Sequence, residues 1–109
     1  MKDAKQKFTA HLAKHRPAAP FFGPVRLVVG WHFPATKSHP HGTYKTSKPD
    51  TDNLLKLFKD CMTALGFWTD DAQVAMESSM KIYSSFPGVF VIVESLPDCL
   101  VSQEVTENA

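Results

Sequence analysis

The sequence predicts an α+β domain, a small mixed β-sheet with two main helices. Apolar residues recur three or four positions apart in segments 3–15 and 54–65, which is the spacing of a half-buried helix. Segments 25–33, 72–83 and 88–96 instead alternate apolar and polar residues or are continuously apolar, as strands are. The predicted order is helix, strand, long loop, helix, strand, strand.

The first helix and the first strand are separated by a Pro-rich loop. In the helix, Phe8 and Leu12 lie four residues apart on one stripe, and Pro17 ends the pattern. Residues 34–49 have no periodicity and gather Pro, Gly, Ser, Lys and His, so they predict a long basic loop. Between the two loops, VRLVVGWHF predicts a strand with one apolar face, made of Val25, Leu27, Val29, Trp31 and Phe33.

The second helix has one apolar stripe, made of Leu54, Leu55, Phe58, Cys61, Met62 and Leu65. Asp52 or Asn53 is expected to cap its N-terminus, and Gly66 stands where a left-handed C-cap belongs. The strand at 72–83 places four apolar residues on one side, Val74, Met76, Met80 and Ile82. The strand at 88–96 is apolar enough to be central in the sheet, and a hairpin with its neighbour is the simplest pairing.

Length and composition indicate one domain, which we assign to residues 1–97, followed by a polar tail over 98–109. The 109 residues are 43% hydrophobic and contain no run approaching the roughly 20 apolar residues that cross a bilayer. The N-terminus lacks the apolar centre of a signal peptide, so we expect a cytoplasmic protein without membrane contact. Cys61 and Cys99 are too few for a disulfide framework and are expected to be reduced.

The net charge of +1 conceals two halves of opposite sign. Residues 1–59 hold eleven Lys and Arg against three Asp, which gives +8, and residues 60–109 hold one Lys against eight acids, which gives −7. A basic segment of this size is the electrostatic footprint of a phosphate-binding surface. Halves of a sequence can interleave in a fold, so charge alone leaves nucleic-acid binding open.

Acidic residues stand at both ends of the second helix. Asp50 and Asp52 precede it, and their side chains would point the same way if the backbone there is extended. Two neighbouring carboxylates suit Mg²⁺, and Lys56, one turn beyond Asp52, could neutralise charge on a phosphoryl oxygen. Asp70 and Asp71 follow the helix and would approach the first pair if the next strand runs back along it. Converging carboxylates and a lysine are typical of metal-assisted phosphodiester hydrolysis.

Each of these residues also has an ordinary structural interpretation. Asp52 can simply cap the helix. Lys56 and Asp60, four residues apart, can be a solvated pair on the helix surface. Asp70 and Asp71 can form a turn. Spacing alone leaves both interpretations open.

Several histidines and aromatic residues also have both a functional and a structural interpretation. His39 and His41 lack further ligands at zinc spacing, which favours a solvated loop. Trp31, Phe67 and Trp68 could stack on nucleic-acid bases, although core packing is the better interpretation for Trp31.

The segment KPDTDNLLKLFKDCMTALGFWTDDAQV resembles the core of the RusA family of Holliday junction resolvases. In that family an Asp-x-Asp-Asn-Leu segment opens a helix, a Lys follows, and Gly, aromatic residues and Asp-Asp precede a strand. Lys81 on the next strand also fits. The matching residues in the segment are Asp50, Asp52, Asn53, Leu54, Lys56, Asp60, Gly66, Phe67, Trp68, Asp70, Asp71, Gln73 and Val74.

The resemblance implies a homodimeric endonuclease, frequently prophage-encoded, that resolves four-way DNA junctions by paired symmetric cuts. Its cofactor would be Mg²⁺, for which Mn²⁺ can substitute. The metal-binding and catalytic carboxylates would be Asp50, Asp52 and Asp71. Lys56 would be the catalytic lysine, and the accessory candidates would be Asp70 and Asp60. The side chains facing DNA would be Lys37, Lys45, Lys48, Lys59, Lys81 and Arg16.

Family members usually begin with an additional strand, whereas this sequence begins at the first helix. The expected fold is therefore RusA-like without the family's first strand. Two alternatives to junction resolution remain. One is a nuclease for other branched DNA, and the other is an N-terminally shortened module that binds junctions without cutting them.

Overall fold

The structure is a computed structural model that describes residues 2–99. Both predicted helices and all three predicted strands are present, and the α+β class with a mixed sheet is confirmed. In chain order the elements are helix α1 (Lys2–Ala13), strand β1 (Val25–Pro34), helix α2 (Thr51–Ala64), a 3-10 turn (Asp71–Gln73), strand β2 (Val74–Ser84) and strand β3 (Gly88–Ser95). The predicted tail over 98–109 lies almost entirely outside the described residues.

Strand β1 is the centre of the sheet, whose order is β2-β1-β3. It pairs parallel with β2 and antiparallel with β3. The predicted hairpin between β2 and β3 is therefore wrong, and β3 is an edge strand. The connection at 85–87 passes the end of β1 instead of turning back on β2, because both later strands find their hydrogen-bond partners on β1.

One face of the sheet carries both helices and the core. Leu27 and Val29 of β1 are fully buried there, and the apolar stripe of α2 packs against them, as predicted. Helix α1 is attached through Phe8, whose ring lies 5.1 Å from that of Phe58 and 5.5 Å from that of Trp31. The prediction that Trp31 belongs to the core is thus confirmed.

The opposite face of the sheet is not covered by any element within residues 2–99. Four large apolar residues on this face are between 41% and 51% exposed: Met76, Met80, Phe90 and Ile92. We call this surface the open sheet face; its centre is Gly30, which pairs with Met80 and Phe90. The apolar side of β2 therefore points away from the helices, and its helix-facing side carries Glu77, Ser79, Lys81 and Tyr83.

Helix α2 begins two residues earlier than predicted. Asp50 is the N-cap residue, since its backbone is extended while its carbonyl accepts the N–H of Leu54 at 3.1 Å. The predicted cap at Asp52 or Asn53 is therefore wrong, and Asp52 lies in the first turn. As a result, Asp50 and Asp52 do not share an extended backbone, although both lie at the same end of the helix.

The C-terminus of α2 is closed as predicted. Gly66 has a φ of 84°, a conformation that glycine adopts without the clash of a Cβ atom. The N–H of Gly66 donates to the carbonyl of Thr63 at 3.1 Å, and that of Phe67 to Met62 at 3.0 Å. These two bonds form a Schellman motif, which satisfies carbonyls that the helix leaves unpaired.

The long loop between β1 and α2 is held against the outer edge of β2. Two of its residues, Thr43 and Lys45, exchange backbone hydrogen bonds with Tyr83 and Lys81 at 2.8–3.0 Å. The loop therefore returns along β2 before α2 begins, and the Lys48–Pro49 peptide bond that precedes Asp50 is cis. Within residues 2–99, neither helix has the length and apolar content needed to cross a bilayer.

Candidate active site at the N-terminal end of helix α2

The first turn of α2 presents three of the predicted site residues to solvent. Asp50, Asp52 and Lys56 are all exposed, and the Asp50 carboxylate makes no capping bond. An oxygen of Asp52 accepts the N–H of its neighbour Asn53 at 3.0 Å. The backbone N–H groups of a helix N-terminus and its dipole both favour a bound anion such as phosphate. This end of α2 therefore combines hard oxygen ligands, a cation and a phosphate-attracting helix terminus.

Lys56 is not held by a carboxylate in the described part of the chain. The ion pairs found there join Arg26 to Glu94 at 2.5 Å and Lys59 to Glu77 at 2.8 Å. The alternative in which Lys56 and Asp60 form a close surface pair is therefore not realised. The Lys56 ammonium is free to meet another group.

The other end of α2 is built differently. Asp70 caps the 3-10 turn, with its carboxylate accepting the N–H of Ala72 at 2.8 Å, and Gln73 returns a bond to the N–H of Asp70 at 3.2 Å. The amide of Gln73 also donates to the carbonyls of Phe21 and Gly23, each at 3.0 Å. The turn interpretation of Asp70 is thus confirmed. Asp71, half-buried beside it, has a carboxylate that accepts no hydrogen bond from residues 2–99.

The two acidic groups do not meet within one chain. Helix α2 has 14 residues, so its ends are about 20 Å apart. Strand β2 does run back along α2. The residue of β2 that lies near Asp50 is Lys81, which contacts Pro49. Lys81 is seven positions beyond Val74, so it lies about 23 Å along the strand from the end where Asp71 is found. The expected approach of Asp71 to Asp50 is wrong for a single protomer, and residues 2–99 contain no group of three metal-ligating side chains.

Lys81 is fixed by the loop that precedes Asp50. Its ammonium donates to the carbonyl of Ser47 at 2.6 Å and to that of Pro49 at 2.7 Å. The sequence predicts Lys81 only as a residue facing DNA. The signal that could have indicated this contact, a lysine on the helix-facing side of a strand, depends on a sheet register that the sequence does not give.

The remaining predicted DNA-binding residues divide into two groups. Lys37 and Lys48 are exposed on the loop that leads to Asp50, and Lys45 of the same loop is half-buried, donating to Ser47 at 2.8 Å. Lys59 lies in the middle of α2, bound to Glu77. Arg16 lies at the other end of the molecule, since His15 and Pro17 beside it line a groove of about 420 Å³ with Phe67.

Aromatic residues near this helix are not available for stacking on bases. Phe67 and Trp68 are buried in the core, and the Trp68 indole N–H donates to the hydroxyl of Thr63 at 2.7 Å. The alternative in which they stack on nucleic acid is therefore wrong. His39 lies against the ring of Tyr83 with 4.4 Å between ring centroids, in an otherwise exposed loop.

The chemistry of the exposed side chains fits Mg²⁺ at the N-terminal end of α2. This ion prefers one or two carboxylates, completes its shell with water and phosphate oxygens, and does not need a closed cage of protein ligands. Asp50 and Asp52 offer such a pair, open to solvent. Mn²⁺ accepts the same oxygen donors.

A small α+β domain with a carboxylate pair and an unpaired lysine at a helix N-terminus has the parts that a phosphodiester-cleaving protein requires. Comparison with known proteins identifies the family. Residues 1–94 match the family model described as "Endodeoxyribonuclease RusA". The chain belongs to the RusA family of endodeoxyribonucleases.

Two curated proteins are similar to this chain. One, from Lactococcus phage r1t, is named "Crossover junction endodeoxyribonuclease rusA"; it is 33% identical over 75 residues, which cover 67% of this chain and 57% of that protein. The other, "Uncharacterized protein YqaN" from Bacillus subtilis (strain 168), is 32% identical over 103 residues, covering 84% of this chain and 72% of that protein. The chain thus spans little more than half the length of the phage relative.

Proposed function

We propose that this protein is a divalent-metal-dependent endonuclease that resolves four-way DNA junctions as a symmetric homodimer in the cytoplasm. Membership of the RusA family supports the reaction class, and the name of the phage relative supports the substrate. The observation that carries the proposal is the N-terminal end of α2, where Asp50, Asp52 and Lys56 are exposed, none of them is in an ion pair within residues 2–99, and Asp50 makes no capping bond. Carboxylates open to solvent can bind Mg²⁺ together with water and phosphate oxygens.

Each side chain has a defined task in this proposal. Asp50 and Asp52 hold the metal through their carboxylate oxygens, and the N-terminus of α2 attracts the scissile phosphate. Lys56, one turn into the helix, donates to an oxygen on which negative charge develops as the phosphodiester bond breaks. Bound Mg²⁺ supplies a Lewis acid and a water that deprotonates more easily.

Asp71 enters this site from a second chain. One protomer cannot bring it to Asp50, because the two residues lie at opposite ends of α2, about 20 Å apart. When two helices pack antiparallel across a two-fold axis, the N-terminal end of one lies beside the C-terminal end of the other. In such a dimer, Asp71 of each copy completes the carboxylate pair of the other, so that dimerisation and metal binding depend on each other.

The open sheet face offers a second dimer contact, on the side of the sheet away from α2. Monomeric proteins rarely expose contiguous apolar patches of this kind, whereas interfaces commonly combine an apolar centre with a polar rim. Here Phe90, Met80 and Ile92 form the centre, and the ion pair between Arg26 and Glu94 lies at one end of the same face. A two-fold dimer through this patch would bury it from both copies but would keep the two α2 helices apart, so it is an alternative to the antiparallel helix dimer that shares Asp71.

The basic loop gives the proposed DNA contacts. Lys37 and Lys48 are exposed on the loop that leads directly into Asp50, so phosphates bound there would lie next to the carboxylates. Contacts of this kind position the DNA backbone and depend on junction shape more than on sequence. Lys45, Lys59, Lys81 and Arg16 stay predictions as DNA-binding residues.

A labelled synthetic four-way junction tests the activity. The purified protein is incubated with the junction, with a flap and with a linear duplex of matched sequence, each with Mg²⁺, Mn²⁺ or chelator, and the products are separated on a denaturing gel. We expect paired symmetric nicks in the junction alone and only with metal. Cleavage of the flap at the same rate would favour the nuclease for other branched DNA, and retarded but uncut junction would favour the binding module.

Mixing two inactive variants tests the shared site. Asp50→Asn and Asp71→Asn proteins are unfolded together, refolded and assayed on the junction. If each site takes Asp50 from one chain and Asp71 from the other, a mixed dimer contains one intact site and one doubly altered site, and nicking returns. If each site is built within one chain, both sites of the mixed dimer carry one defect, and nicking stays absent.

A further inference from the structure

We infer that Lys81 is a positioning residue for the proposed nuclease: its ammonium holds the backbone of Ser47 and Pro49 and thereby fixes where Asp50 lies. The inference rests on the proposed function, because it assigns Lys81 a task in the metal site at the start of α2. It differs from the expectation that Lys81 contacts DNA. Lys81 would act through Asp50 and would touch neither the substrate nor the metal.

The backbone before Asp50 has few other supports. The last backbone bond between the loop and β2 joins the N–H of Lys45 to the carbonyl of Lys81 at 3.0 Å, and the next regular bond is that of Leu54 to Asp50. Across residues 46–49, no backbone-to-backbone bond is formed with any other described residue. The Lys81 ammonium bridges this gap, with bonds of 2.6 and 2.7 Å to the carbonyls of Ser47 and Pro49.

The place of Lys81 in the sheet explains how it reaches the loop. It pairs with Trp31 of β1, whose side chain is buried under the helices, so Lys81 leaves the sheet on the helix-covered side. A lysine has a flexible four-carbon stem and three donors. Two of the donors are used on carbonyls here, which leaves one for any other contact.

The charge of Lys81 is not explained by stabilisation of α2. A cation near a helix N-terminus meets the positive end of the helix dipole, which is unfavourable. Carbonyl oxygens, in contrast, bind an ammonium through charge-assisted bonds that are shorter and stronger than neutral ones. The contact therefore holds the loop in position. Asp50 follows Pro49 directly, so the position of the loop determines the position of Asp50.

The test compares Lys81→Met with Lys37→Met. The second variant removes an exposed lysine of the same loop and represents loss of an ordinary phosphate contact. Junction cleavage at saturating DNA is measured over a range of Mg²⁺ concentrations, and junction binding in chelator is measured over a range of salt concentrations. Thermal unfolding of both proteins shows whether the fold is retained.

We expect Lys81→Met to raise the Mg²⁺ concentration for half-maximal cleavage about tenfold, as loss of groups supporting metal ligands does. Cleavage at low Mg²⁺ should fall on the order of 100-fold, the cost of a small misplacement of a reacting group. The salt dependence of junction binding should not change. For Lys37→Met we expect weaker binding with a salt slope reduced by about one, and an unchanged Mg²⁺ requirement.

Chemical rescue separates the ammonium from the fold. Lys81→Cys is made together with Cys99→Ser and then treated with bromoethylamine, which restores an ammonium of nearly the same length; Cys61 is buried. We expect the Mg²⁺ requirement to return toward that of wild type, and Lys81→Arg to restore it in part. A wild-type protein that does not cut junctions would defeat the proposed function itself. A wild-type protein that cuts, together with a Lys81→Met protein that has an unchanged Mg²⁺ requirement or a salt slope reduced by about one, would overturn the inference.

Discussion

The two ends of helix α2 carry similar acidic residues and use them differently. At the C-terminal end, a Schellman motif ends the helix, and Asp70 and Gln73 form a capping box in which the Asp70 carboxylate accepts backbone hydrogen bonds. At the N-terminal end, Asp50 occupies the cap position without making a capping bond, and Asp52 bonds only the N–H next to it. A capping bond is worth about 1 kcal/mol, and an Asp50 carboxylate that forgoes it agrees with the metal-binding role proposed for this residue.

The difference lies in whether a carboxylate accepts a hydrogen bond from the backbone or is left open to another partner. Asp70 and Asp71 are neighbours in sequence, but only the Asp70 carboxylate accepts a hydrogen bond from the backbone. The hydrogen-bond partners of each oxygen are therefore more informative than the cluster as a whole.

Removing the carboxylate charge at the N-terminal end should have the largest effect. Asp50→Asn or Asp52→Asn keeps the shape of the side chain and removes a metal ligand, so we expect junction cleavage to fall by at least about 1,000-fold. Junction binding in chelator should stay within about twofold, since phosphate contacts dominate affinity. Gel assays of cutting and binding on the same protein check this, and full activity in either variant would contradict the assigned role.

Removing the lysine of the same turn should have the next largest effect. Lys56→Met takes away the cation that meets developing charge, and we expect the single-turnover cleavage rate to fall on the order of 100-fold at saturating Mg²⁺. The Mg²⁺ requirement should change little, because Lys56 is not a ligand. A variant whose cleavage is fully restored by more metal would instead place Lys56 in support of the metal.

At the C-terminal end the effects should concern stability. Gly66→Ala forces a side chain into the left-handed conformation that closes the helix, which should cost about 1–2 kcal/mol of unfolding free energy. Urea unfolding followed by circular dichroism measures the loss. Gly42 also has a positive φ of 89°, but it lies in the exposed loop, so Gly42→Ala is the matched variant outside the helix. Equal losses at both positions would mean that the Schellman closure adds nothing.

The smallest expected effect separates the two neighbouring aspartates. Asp70→Ala removes the capping bond to Ala72 and should lower the unfolding free energy by about 1 kcal/mol. Asp71→Asn, which loses no bond within the described residues, should stay within about 0.5 kcal/mol of wild type. Thermal unfolding should show a melting temperature roughly 4–8 °C below wild type for Asp70→Ala and a smaller shift for Asp71→Asn. A larger loss for Asp71→Asn would make Asp71 a structural residue.

Much of the fold could be predicted because each element carries its own periodicity. The stripe of α2 and the alternation in β1 identified the core correctly, and the glycine at the end of α2 predicted its closure. The pairing of β2 with β3 could not be predicted. A connection as short as 85–87 can turn back as a hairpin or pass the end of one intervening strand, and only the competition for β1 decides between them.

The same limit applied to the site. Pattern and resemblance selected Asp50, Asp52 and Lys56, which the fold places together at one helix end. The position of Asp71 depended on the direction and length of β2 relative to α2. The contact of Lys81 depended on the register between β1 and β2, because a shift of one residue would point its side chain to the other face of the sheet. Neither the course of β2 nor the register of the sheet can be predicted from the local sequence.

The central position of β1 has a consequence for the synthesis of this protein. Its two partner strands are contributed by residues 74–84 and 88–95, far later in the chain. A ribosome therefore makes both aspartates of the N-terminal end of α2 well before the strand that steadies the loop in front of them. Pairing between such distant segments closes large loops and is slow. The acidic end of the helix would thus acquire its final geometry only after residue 95 has left the exit tunnel, and a nascent chain would not present the proposed metal site to nearby DNA in its finished form.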